Sequence, residues 1–129
     1  MADQLPVHVA LVSEMPQSTL SSSELSQVSA AIQKQVSRDF GPVWNVNATV
    51  DSFPNLDDVP LGYWPVIVME DIGNPGAAGF HQDKNGNPYA LVQFSDSWSL
   101  TASHETLEML ADPFGNRVVA SVAPEQSGS

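Results

Sequence analysis

The chain has 129 residues, with 15 acidic side chains against 4 basic ones and no cysteine. A net charge of −11 argues against nucleic acid or an anionic membrane as partner, because either would be repelled. The absence of cysteine excludes disulfides, thiolate nucleophiles and Cys-ligated zinc.

The length fits a single domain over residues 1–129 that buries a core without staples. There is no run of about 18 apolar residues, so no membrane-spanning helix is expected. Met1-Ala2-Asp3-Gln4 lacks the basic start and apolar stretch of a signal peptide, and compartment stays open.

Pro6 to Val12 is short, apolar and rich in β-branched residues, as a buried strand is. His8 inside it reads as structural. Ser21 and Glu24 then form a capping-box pattern, with Leu20 and Leu25 as the apolar staple. Leu25, Val28, Ile32, Val36 and Phe40 recur at helical spacing, and Gly41-Pro42 reads as the stop. This helix is expected to pack on a sheet.

Val46 to Phe53 alternates in part and predicts a second strand. Tyr63 to Met69 predicts a third, and Gly79 to Gln82 a short fourth. Asn85-Gly86 is a hairpin-turn signal leading into a strand over Tyr89 to Phe94. Asp83, Asn85 and Asn87 faintly resemble a calcium loop. Position 94 is Phe where such a loop needs a bidentate Glu, so the turn is the better reading. A second helix follows, capped by Ser97 or Ser99, with Trp98 as a core anchor. It ends near Ala111, because Pro113 disfavours helical geometry at Asp112. Asn116 to Ala123 reads as a last short strand, and 124–129 as a frayed tail. The order implies an α+β fold with a twisted mixed sheet of four to five strands, a backing helix and a second helix carrying chemistry.

That chemistry lies in Ser103-His104-Glu105-Thr106-Leu107-Glu108-Met109-Leu110-Ala111-Asp112-Pro113. On a helix, His104 and Glu108 stand one turn apart on one face and can grip one cation. Asp112, a further turn on, is the local candidate for a third ligand. His81 is the distant one, a possible additional site residue. Glu105 is placed as the general base for a water whose pKa the cation lowers. Leu100, Leu107, Leu110 and Ala111 give the helix an apolar side to bury. The structural alternatives stay open: a solvated acidic helix face, a helix-end histidine, and an Asp-Pro helix stop.

The spacing resembles the zinc-protease helix H-E-x-x-H with Glu in place of the second His. The element order resembles the zincin metallopeptidases, on the metzincin side, over roughly residues 6 to 112. A closer resemblance is to small uncharacterised bacterial proteins sharing two blocks. Here these are Gly79-Phe80-His81-Gln82-Asp83 with Pro88-Tyr89-Ala90, and Ser103 to Pro113. Members of that group continue past this chain's end, which leads us to expect a C-terminal portion that completes a site. Exordium-like plant proteins carry a similar His-Glu-x-x-Glu helix, with Asn at the place of Asp112. The metzincin Gly, third His and Met-turn are absent.

The resemblance implies a zincin-like fold, a zinc ion and a peptide or protein substrate aligned on an edge strand, either Tyr89 to Phe94 or Gly79 to Gln82. The leading expectation is a minimal zinc metallopeptidase with metal ligands His104, Glu108 and Asp112 and catalytic Glu105. The alternatives are a non-catalytic domain of the same fold, binding a metal or a partner through its sheet edge, and a calcium-dependent interaction module.

Overall fold

The structure is a computed structural model describing residues 6–44, 46–114 and 121–122. The chain runs β1 (Val7–Ser13), α1 (Ser22–Gln35), β2 (Ala48–Phe53), β3 (Trp64–Met69), β4 (Ala77–Lys84), β5 (Asn87–Gln93), α3 (Trp98–Ala111) and the two-residue β6 (Ser121–Val122). A short α2 (Gly41–Trp44) follows α1 through a π-helical turn, Val36–Phe40. The strands form one mixed sheet in the order β2-β1-β3-β5-β4-β6. The first four are mutually parallel, and β4 runs antiparallel to both β5 and β6. The α+β class and mixed sheet agree with the sequence reading. β6 adds one strand to the expected four to five. The rest of the segment expected as a last strand, and the tail 124–129, lie outside the described residues.

Local chemistry explains most of these elements. Ser21 Oγ accepts from the Glu24 amide at 3.1 Å and the Glu24 carboxylate accepts from the Ser21 amide at 3.3 Å, completing the capping box. The β4–β5 hairpin turns at Asn85-Gly86, both at positive φ, 54° and 83°. That is a two-residue turn whose twist matches its strands.

Gly41-Pro42 does not stop the first helix, contrary to expectation. The backbone widens into the π-turn, with the Gly41 amide bonded to the Val36 carbonyl, and continues helically to Trp44. Gly41 keeps a right-handed φ of −57°. A Cβ there would stand 2.7 Å from the Val46 carbonyl oxygen and 2.9 Å from that of Val36. Glycine is needed for close approach, not for a left-handed cap.

Both long helices cover one face of the sheet, α1 over β2 and β1 and α3 over β4, β5 and β3. The main core lies between them, from Val9, Leu11, Val66, Val68 and Val92 to Ile32 and Met109. A smaller cluster of Ala10, Val12 and Ile67 lies on the other face, under Phe53, Val59 and Tyr63. At the β2 edge, Gln33 of α1 acts as a surrogate strand residue. Its Oε1 accepts from the Val50 amide at 2.7 Å and its Nε2 donates to the Ala48 carbonyl at 3.1 Å. Among the described residues no helix is long and apolar enough to cross a membrane.

Candidate metal centre between α3 and β4

The buried face of α3 is Trp98, Thr101, Ala102, Glu105, Thr106, Met109 and Leu110. This differs from the predicted apolar side. Leu110 is buried, but Leu100 is 66 % exposed and Ala111 is also exposed. The helix is turned so that Trp98, Ala102, Thr106 and Met109, a stripe at helical spacing, face the core. Glu105 lies within that stripe and is fully buried.

Gly79 makes room for it. A Cβ at Gly79 would lie 2.9 Å from Thr101 Cγ2 and 3.2 Å from Glu105 Cγ, with the Leu91 carbonyl oxygen at 2.9 Å. The glycine lets α3 approach β4 closely enough for the Glu105 side chain to cross the strand. His81 is two positions on, so it projects from the same side of β4. It is 4 % exposed, and its Nδ1 lies 3.4 Å from Glu105 Oε1 and 3.8 Å from Glu108 Oε1.

The other nitrogen of His81 is anchored by main chain. Its Nε2 stands 3.1 Å from the carbonyl oxygen of Asp112. A carbonyl only accepts, so Nε2 carries the proton. Asp112 has φ −144° and ψ 70°, outside the helical region, while its amide still closes the last turn on the Glu108 carbonyl at 2.8 Å. Pro113 imposes that geometry on the residue before it. The proline thus ends α3 and, by the same act, turns the Asp112 carbonyl onto His81.

With Nε2 protonated, a neutral His81 ring turns the Nδ1 lone pair toward two carboxylate oxygens. One of these, Glu108 Oε1, is a buried atom with no hydrogen-bond partner. Lone pairs gathered in this way call for a positive charge between them, either a proton on Nδ1 or a metal ion. His81, Glu105 and Glu108 each offer a ligand atom within 4.8 Å of the others. The second oxygen of Glu108 lies 2.8 Å from His104 Nε2, the i,i+4 pair on the outer side of the helix. His104 is 52 % exposed and Glu108 30 %. The carboxylate of Glu108 therefore stands between two imidazoles, one in the core and one at the surface.

Of the residues singled out from sequence, the structure brings His104, Glu105, Glu108 and His81 into one string of contacts. Asp112 joins it through its main-chain carbonyl, while its side chain is exposed. Gly79 was missed as a site residue; its position two before His81 was the available signal. Tyr89 to Phe94, one of the two expected edges, is largely interior, because β5 lies between β3 and β4. β4 is the outer strand of the pair, with β6 on its other side at Ala77 and Gly79. His8 lies far from this string in chain topology. It stacks on Tyr63 at 5.0 Å and shares a 2.7 Å hydrogen bond with Thr49 Oγ1.

A His, Glu and Glu donor set could hold a cation that accepts nitrogen and oxygen ligands. An all-oxygen calcium shell would leave both imidazoles unused. Compared with known proteins, the chain matches no family model, no curated protein and no solved structure.

Proposed function

We propose that this chain is a zincin-like, zinc-dependent hydrolase acting on peptide bonds. The observation that carries the reading is the position of the Glu108 carboxylate, with its outer oxygen 2.8 Å from His104 Nε2 and its inner oxygen partnerless beside His81. His104 and Glu108 would hold the cation from one helix face. When bound, a divalent cation lowers the pKa of water and polarises a carbonyl. Glu105, next to the first ligand in sequence and beside His81 in space, would accept the proton from the attacking water.

The sheet topology supports the substrate class. β4 lies beside α3 and antiparallel to β5, and beyond Gly79 its outer side pairs with no other described strand. An extended peptide can add there by main-chain bonds. The test is cleavage of a peptide library by the zinc-loaded protein, with Glu105→Gln as control. Cleavage lost in the variant supports the reading. Tight zinc binding without cleavage in either protein refutes it.

The second reading is a non-catalytic domain of the same architecture, in which the cation ties α3 to β4. The complete burial of Glu105 favours it, since a ligand in the core closes a shell more readily than it reaches a substrate. Here Glu105→Gln would weaken zinc binding, whereas the hydrolase retains it.

A further inference from the structure

We infer that His81 Nδ1, delivered by β4, is a protein ligand of this centre, and that the Asp112 side chain is not. The inference rests on the metal-binding part of the proposed function. It assigns a ligand from strand to helix rather than from the chain that follows the helix.

Three observations carry it. The first is orientation. The Asp112 carbonyl holds Nε2–H of His81 at 3.1 Å and so presents Nδ1 unprotonated in the neutral ring. Histidine ligands are ordinarily fixed this way, by a hydrogen bond from the nitrogen that does not bind the metal. The second is spacing. Ligand atoms about 2.0–2.1 Å from a tetrahedral zinc are about 3.3–3.4 Å from one another. His81 Nδ1 lies 3.4 Å from Glu105 Oε1 and 3.8 Å from Glu108 Oε1, longer than a strong charged hydrogen bond and close to ligand separation. The third is the partnerless inner oxygen of Glu108, a buried acceptor facing the same space.

The ligand atoms of His81, Glu105 and Glu108 gather within 4.8 Å of one another on the inner side of α3, while His104 meets the outer oxygen of Glu108. The Asp112 side chain cannot join them while its carbonyl serves His81, because the geometry that turns the carbonyl inward leaves the side chain in solvent.

The experiment is zinc titration by calorimetry of the wild type, His81→Ala, Asp112→Asn and Pro113→Ala. We expect His81→Ala to lose zinc affinity by more than about 100-fold, beyond the about 10–100-fold that removing an outer-shell partner costs. Pro113→Ala should fall within that smaller range, and Asp112→Asn should bind as the wild type. His81 is buried, so its removal can unfold the protein. The wild type loaded with NMR-active cadmium is therefore measured as well, and metal–nitrogen coupling is expected on His81 Nδ1 with Nε2 still protonated. Zinc retained by His81→Ala, or bound cadmium without coupling to His81, overturns the inference while leaving a metal centre in place. A wild type that binds no zinc overturns the metal reading and this inference together.

Discussion

His81 and Asp112 are separated by 31 positions in the chain and joined by one hydrogen bond, from the imidazole Nε2–H to the Asp112 carbonyl oxygen at 3.1 Å. The bond links the middle of β4 to the end of α3. It exists because Pro113 keeps Asp112 out of the helix. A local backbone restriction thereby fixes the orientation of a buried side chain on another element.

The cradle at Gly79 has a stability consequence. The nearest neighbours of an added Cβ include the Leu91 carbonyl, which belongs to the adjacent strand and cannot turn aside. Gly79→Ala should destabilise the fold by about 1–3 kcal/mol through overpacking. Chemical denaturation measures this, and an unchanged midpoint would show that β4 and α3 separate freely.

Glu105 separates folding from chemistry. Glu105→Ala leaves a void in the core and should cost about 2–5 kcal/mol, comparable to other large-to-small core changes. Glu105→Gln keeps the volume and should remain folded with zinc bound. Its peptide cleavage should fall about 100- to 10,000-fold, the usual contribution of a general base. Parallel thermal melts and single-turnover assays distinguish the two substitutions.

Gln33 should be worth more than an ordinary surface glutamine. Its amide satisfies the Val50 amide and the Ala48 carbonyl at the β2 edge. Gln33→Ala strands both groups, for a loss of about 1–3 kcal/mol. Hydrogen exchange at the Val50 amide should quicken in the variant more than at β1 amides.

Ser21→Ala removes the acceptor of the α1 capping box. The expected loss is about 1 kcal/mol, read as a lower denaturation midpoint with unchanged slope.

Much of this fold is legible locally. Ser21 with Glu24 marks the start of α1, and Asn85-Gly86 marks the hairpin, because each motif satisfies its own backbone within a few residues. Other features depend on distant neighbours. Gly41-Pro42 reads as a helix stop, yet Gly41 serves the approach of the Val46 and Val36 carbonyls. The facing of α3 was obscured by Glu105, a charged residue inside the buried stripe Trp98, Ala102, Thr106 and Met109. His104, Glu105 and Glu108 stand out as a motif because their spacing matches one helix turn. The part of His81 depends on strand pairing, and that of Asp112 on a main-chain carbonyl, which no side-chain pattern encodes.

The most direct test of a metal centre between α3 and β4 is the metal content of protein purified without chelator, followed by titration of the stripped protein with zinc and with calcium. The account predicts about one zinc per chain, recovered on titration and preferred over calcium, because two imidazoles flank Glu108. Protein that carries no zinc and takes up none when it is added would contradict it.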